Sequence, residues 1–298
     1  KMNFLGFGNS ASFVLKFTSA VKGRPTKKIK HEDGGVEELV IFQGHEPIQG
    51  EVTVIPKGKK LEHIGIKVEL IGQIEMLYDQ SRNSEFTSLV CELDSPGLLY
   101  NEKTYAFNFA NVPKPYESYR GLNARLRYFL RVTATKQYGV STKEHEFWVQ
   151  NIQPEPEINN SIKMEVGIEE CLHIEFEYQK SKYHPNEAVV GKIYFLLVRI
   201  KIKYMELGIL RRESTGTGDN MVTDSEKITK FEIMDGCPVR GEAIPVRLFL
   251  SDSNLTPTYE NVNNQFSVRY FLNLVLVDQE ERSYFKQQEI TIWRKDLG

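Results

Sequence analysis

The tetrapeptide Arg-Tyr-Phe-Leu occurs twice in this chain, at residues 127–130 and again at 269–272. The likeness extends well past four letters. "PYESYRGLNARLRYFL" from Pro115 lies over "PTYENVNNQFSVRYFL" from Pro257, each proline twelve positions before the repeated arginine. Upstream, "GEVTV" at Gly50 and "IKVELIGQIE" at Ile66 lie over "GKIYF" at Gly191 and "IKIKYMELGIL" at Ile200. Downstream, "KEHEFWV" at Lys143 lies over "KQQEITI" at Lys286. One order of elements is written twice, so the chain reads as two copies of one domain.

Periodicity gives the kind of domain. "LHIEFEY" puts Leu172, Ile174, Phe176 and Tyr178 on one side and His173, Glu175 and Glu177 on the other, the two-residue period of a half-buried strand. Tyr105, Phe107 and Phe109 repeat the pattern. Around the repeated word, Leu126, Tyr128, Leu130 and Val132 form an inner set, while Arg125, Arg127 and Arg131 face out beside Phe129. Turn clusters such as "DGG", "LDSPG", "TGTGDN", "MDGCP" and "SDSNLTP" divide many short segments of this kind, and no stretch carries a sustained helical stripe. The expected fold is all-β, two antiparallel β-sandwiches in tandem. "NIQPEPEINNS", rich in proline and asparagine, reads as the linker at 151–161, between domains at 1–150 and 162–298.

Composition narrows the function. Lys and Arg number 38 against 40 Asp and Glu, so global charge gives no footprint for nucleic acid. The most basic stretch, "GRPTKKIKH" at 23–31, is followed at once by "EDGGVEE" and reads as a solvated loop. Three scattered cysteines suit a reducing compartment rather than a disulfide framework. The longest apolar run, "VVGKIYFLLVRIKI", is too short and too interrupted by Lys and Arg to span a bilayer.

Catalytic constellations do not assemble. Cys171 and His173 share a strand face about 6.6 Å apart, but no second Cys/His cluster completes a metal site. "TGTGDN" at 215–220 precedes a strand-like segment, not the helix that a phosphate loop needs, and reads as a surface hairpin loop. His45 and His145 begin zinc-protease-like words that lack the second histidine. No catalytic, cofactor or metal-ligating residue is therefore assigned, and a binding module is favoured over a sandwich hydrolase.

Two stretches suit partners better. In "SIKMEVGIEE", Ile162, Met164, Val166 and Ile168 alternate with Lys163, Glu165, Gly167 and Glu169. Gly167 suggests a bulge or a close backbone approach, and a strand opening a domain is often an edge able to accept an extended peptide. In "KFEIMDGCP", Asp235-Gly236 is a hairpin-turn signal, Phe231 and Ile233 share one face, and Met234 shares the other with Glu232. An exposed methionine there would suit an interface.

"NNSIKMEVGIEECLHIEFEY", "FEIMDGCPVRGEAIPVRLFL" and "FSVRYFLNLVLVDQEERSYFKQQEITIWR" resemble the arrestin-like subunit of retromer, the endosomal cargo-sorting complex, as do "LEHIGIKVELIGQIE" and "KPYESYRGLNARLRYFL" in the first half. The resemblance runs from about residue 4 to 294. It implies two tandem arrestin-like β-sandwiches and a non-enzymatic, cytoplasmic adaptor, peripheral on endosomal membranes through nexins. It further implies a large α-solenoid partner bound at Ile233, Met234, Asp235 and Gly236. A sorting nexin and the cytosolic tails of cargo receptors would bind at Met164, Val166, Gly167, Ile168 and Phe285, where the cargo backbone adds to the strand and Val166 and Phe285 line a pocket for its Leu or Met. In animal members a further nexin docks beside an acidic residue; Gly44 occupies that place, so this partner is not carried over. The stretch at 133–148 also diverges. A free-standing arrestin-like adaptor for receptor tails is the alternative.

Overall fold

A computed structural model describes residues 10–18, 24–30, 34–78, 83–168 and 170–295. Gly23, His31, Glu32, Asp33 and Glu169, named above, lie outside the described residues. The chain divides into two compact units, 1–151 and 152–298. The first contains β1 (Ala11–Phe17), β2 (Thr26–Lys30), β3 (Val36–Gln43), β4 (Ile48–Pro56), β5 (Leu61–His63) and β6 (Gly65–Met76). It continues with β7 (Ser84–Asp94), β8 (Gly97–Leu99), β9 (Lys103–Phe109), β10 (Tyr119–Arg120), β11 (Ala124–Thr135) and β12 (Val140–Gln150). The second contains β13 (Ile162–Ile168), β14 (Leu172–Tyr178), β15 (Lys182–Tyr183), β16 (Ala188–Val198) and β17 (Ile202–Thr215). After these come β18 (Val222–Asp235), β19 (Ala243–Phe249), β20 (Tyr259–Val262), β21 (Phe266–Asp278) and β22 (Ser283–Ile292). Among the described residues the only helices are single 3-10 turns.

In the first unit a three-stranded sheet, β1-β4-β9, faces a larger one ordered β2-β3-β12-β11-β6-β7, with β10 beside β11. An aromatic chain fills the space between them. Phe17 of the small sheet meets Phe42 and Phe147 of the large one, and Phe147, Tyr128 and Phe86 continue the series at centroid spacings of 5.1–6.1 Å. The second unit pairs β13-β14-β16-β19 with β15-β22-β21-β17-β18, and β20 lies beside β21. Both units are built of antiparallel sheets, apart from the parallel pairs β3–β12 and β15–β22. This is the tandem β-sandwich class expected from the periodicity.

The repeated word occupies equivalent strands, and its tyrosine explains it. Tyr128 on β11 and Tyr270 on β21 are fully buried, each on an inner strand of its sheet. Tyr128 Oη donates to the carbonyl of Tyr116 at 2.9 Å, and Tyr270 Oη lies 2.9 Å from Thr256 Oγ1 while accepting from the Thr256 N–H at 3.2 Å. In each copy a buried hydroxyl therefore pins the loop that precedes its own strand. A second shared device is a glycine. Gly50 faces Phe17 and Gly191 faces Tyr178, and a Cβ at either would stand 2.3 Å from a carbonyl oxygen of the neighbouring strand, that of Lys16 or Glu177.

The strand ladders correct several expectations. Ile66 pairs with Ala134, and the residue equivalent to Ala134, Leu276, pairs with Met205. Ile66 therefore corresponds to Met205, not Ile200, because the connections differ in length between the copies. Phe129 points to the outer face as expected, yet it is fully buried. The guanidinium of Arg127 lies 4.0 Å from its ring centroid and that of Arg131 5.3 Å, while Glu75 and Glu144 hold the two arginines. Much of the basic stretch read as a loop is strand β2. Lys28 faces Glu38 across the ladder at 3.4 Å, so cross-strand pairing neutralises it.

Two predictions follow from these buried groups. Tyr128→Phe and Tyr270→Phe should each lower unfolding free energy by about 1–3 kcal/mol, because each leaves a loop group without its partner; denaturant titration measures this. Burial also holds His63, His145 and His184 below their ordinary value of 6.5. Below about pH 6.5 the unfolded chain takes up protons that the folded chain resists, so stability should fall as pH drops through and below that point. Melting at a series of pH values from 7.5 downward checks the sign.

Candidate functional site

The stretches singled out for partners all lie in the second unit. β13 is the outermost strand of its sheet and pairs with β14 in unbroken register from Ile162↔Tyr178 to Ile168↔Leu172. No bulge occurs at Gly167, where a Cβ would meet only the Leu172 carbonyl at 3.9 Å. The glycine instead leaves open space on an exposed face. Met164, Val166 and Ile168 are half-buried on the core side, while Lys163, Glu165 and Gly167 are exposed on the other.

The outermost strands β15, β18 and β19 of this unit are guarded. β15 is two residues long, β19 carries Pro245, and β18 is interrupted by two bulges. Short strands, prolines and bulges each discourage another chain from pairing along an edge. β15 covers only Thr291 and Ile292 of β22, so residues 283–290 form a second edge without proline or bulge, in the larger sheet, and β13 is the corresponding open edge of the smaller sheet.

One bulge falls within the predicted solenoid-binding segment. Met234 faces Met205 and Glu232 faces Glu206, so Ile233 is the extra residue with no opposite number. The insertion shifts the alternation. Met234 thus shares its face with Phe231 rather than with Glu232, contrary to the sequence reading. Met234 and Ile233 are half-buried, and Phe231 is the open apolar residue at 60% exposure. Sequence reasoning passed over Phe231 because plain alternation paired it with Ile233. Nor does Asp235-Gly236 close a hairpin. Gly236, at φ +101°, donates to the Lys203 carbonyl at 2.8 Å and leads toward β19 in the other sheet. "TGTGDN" does form the hairpin loop, joining β17 to β18.

Phe285 is 66% exposed near the start of β22. Its ladder row runs Phe285–Val275–Glu206–Glu232, so it and the Ile233 bulge occupy the same end of one sheet, separated by three strand spacings of about 4.8 Å. The hairpin beside Phe285 is fixed by Asp278, whose carboxylate accepts from the N–H groups of Glu280 and Arg282, the Arg282 guanidinium and the Tyr284 hydroxyl. β13 and Phe285 belong to different sheets, but topology sets them on the same side. β18 contacts β19, which places β13 and β22 together at the opposite side, and Asn159 just ahead of β13 binds Ser181 and Lys182 next to β15. β15 pairs with residues 291 and 292 of β22. At about 3.3 Å per residue, Phe285 lies roughly 20 Å along β22 from Thr291, and Val166 to Ile168 lie roughly 13–20 Å along β13 from Ile162.

The polar face of β13 and β14 holds a cluster that single-strand reading missed. Glu165 stands directly opposite Glu175, His173 is on the same face, and ligand-type atoms of all three lie within 4.8 Å of one another. His173 Nε2 is 3.4 Å from a Glu165 oxygen. Such a set could hold a divalent cation. The Cys/His partner sought for His173 is replaced by two glutamates, which the β13–β14 pairing brings into register. A groove of about 440 Å³ opens beside them, lined by Lys163, Glu165, Glu175, Glu177 and Tyr194.

The fold defines the class: a tandem arrestin-like β-sandwich protein. Residues 7–281 match the family described as vacuolar protein sorting-associated protein 26. The chain is 54% identical over 301 residues to vacuolar protein sorting-associated protein 26 of Dictyostelium discoideum, covering 99% of this chain and 86% of that one. It is 54% identical to protein 26B of Danio rerio (99% and 89% covered) and 56% identical to protein 26B of Arabidopsis thaliana (98% of each). This chain belongs to the vacuolar protein sorting-associated protein 26 family, a family of protein sorting. No helix among its described residues is long and apolar enough to cross a membrane.

The open edge has a direct signature. Amide exchange along β13 should alternate, slow where the N–H bonds to β14 and fast at the residues between; uniform protection measured by NMR would mean that the edge is covered.

Proposed function

We propose that this chain is a non-enzymatic adaptor subunit of retromer, joining a large α-solenoid subunit, a sorting nexin and the cytosolic tails of cargo receptors, and residing in the cytoplasm and on endosomal membranes through its nexin. The observation that carries the reading is the unguarded edge of β13. An extended tail can add to it by main-chain hydrogen bonds of little sequence preference, while apolar pockets select side chains. Val166 and Phe285 supply the apolar surface for a Leu or Met of the tail, beside Met164, Gly167 and Ile168. Ile233, Met234, Asp235 and Gly236 serve the solenoid subunit, with the bulge pushing Ile233 out of the regular ladder.

Such a site is small, so the tail binds weakly by itself. Joining several weak contacts on one membrane supplies the missing affinity through effective concentration. Sorting is then conditional, since cargo is held where nexin and solenoid are also present.

Two variants test the assignment. Ile233→Asp with Met234→Asn should abolish capture of the solenoid subunit from cytosol while a cooperative thermal transition persists; equal recovery by parent and variant moves the interface elsewhere. Phe285→Ser should change unfolding free energy by no more than about 0.5 kcal/mol, because the ring is already exposed. Cargo-tail binding by the reconstituted complex should nonetheless fall at least about tenfold, roughly the loss of a buried aromatic or aliphatic contact. Unchanged binding removes Phe285 from the site.

A further inference from the structure

The edge-strand reading leaves open what the tail must carry on its other face. In a sheet, directly opposed residues project to the same side, about 4.5–5.5 Å apart, and opposite charges there stabilise while like charges destabilise. A strand added to β13 would therefore extend each existing cross-strand row by one residue.

The rows on the polar face are unequal in charge. One is Lys163–Glu177–Lys192, in which Lys163 pairs with Glu177 at 3.4 Å. The next is Glu165–Glu175–Tyr194, where two carboxylates face each other. His173, two positions along, touches Glu165, while Lys163, two positions the other way and lining the same groove, is held by Glu177. The third begins at Gly167, beside His173. The middle row also opens into the groove that Glu165, Glu175 and Tyr194 line. It is thus under-neutralised and has room for a long side chain.

We propose that this row selects an arginine or lysine in the incoming tail, at the single position opposite Glu165. This rests on the edge-strand reading above and adds a charge requirement to it. The cation lies over Glu165 and reaches Glu175, about 10 Å or two strand spacings from its own backbone. An arginine is suited to this reach because its planar fork can meet both carboxylates. The positions two residues to either side face Lys163 and Gly167, so a cation gains nothing there. Intervening tail residues point to the apolar side of β13, toward Met164 and Val166. The tail is thereby read on both faces, apolar selection on one and a single positive charge on the other.

The test walks one residue along a probe. A short fluorescent peptide with a single Leu at its centre and serine elsewhere is titrated against the complex reconstituted with solenoid and nexin. Arg, and separately Glu, replaces each serine in turn. One position should stand out, with Arg binding about two- to fivefold more tightly than Ser and Glu more weakly. Glu165→Lys should reverse the order at that position and at no other. A flat profile, or an Arg gain spread over all positions and unchanged in Glu165→Lys, overturns the inference. Methylating alternate backbone nitrogens of the same probe separates the two levels: one alternating set should abolish binding. If neither set matters, or the parent probe fails to bind, the edge-strand reading falls and takes the charge rule with it. If one set abolishes binding and the Arg profile is flat, the charge rule alone falls.

Discussion

A phenol hydroxyl buried in each half of the molecule sets the terms for the rest. Water cannot reach Tyr128 or Tyr270, so each oxygen must find a partner within its own unit, and each finds it in the loop that enters its strand. That bond fixes how far the loop advances before β11 or β21 begins. The two strands stand inside their sheets with neighbours on both sides, so their position sets the register of β6 and β12 in one unit and of β17 and β22 in the other. The hairpin at Asp278 and the row that holds Phe285 follow from β21. The surface proposed for partners is thus tied, through a few ladders, to one buried oxygen.

The repeat was legible because this geometry demands the same residue types at the same places. Tyrosine fills the core and caps a loop, the following Leu lies in the core, and Gly50 and Gly191 sit where a neighbouring carbonyl forbids a side chain. Alternation likewise disclosed β13, β14 and β9. What failed was register. A strand with apolar residues on both faces, such as β17, aligns with its counterpart about as well at several offsets, and the ladder is needed to choose Met205 over Ile200. Bulges were equally hidden, since nothing in "KITKFEIMDG" announces that Ile233 will be skipped. Phe129 looked exposed because a ring roofed by arginines has the same sequence pattern as a ring in water.

The candidate site divides along the same line. That β13 is an edge could be read from its place at the start of a domain, but which other strands lie open needed the sheet order and the ladders. Gly44 is similar. Only the family resemblance marks it, by the acidic residue that animal members carry at that place, and the structure adds that a Cβ there would lie 2.3 Å from the Asn151 side-chain oxygen. Glu165 and Glu175 each look like ordinary solvent-facing residues until the hairpin sets them opposite each other. Chemistry arising between strands is invisible to a reading made along them.

A strand left open to partners is also open to strangers. Evolution ordinarily blunts such an edge, and here the means of doing so appear on β15, β18 and β19 while β13 goes without. The safety of the free chain then depends on dilution and on occupancy more than on its own fold. A copy with this edge bare carries exposed template, the form most prone to aggregate. Under the proposed reading, the open edge therefore couples the usable amount of this chain to the supply of whatever covers it.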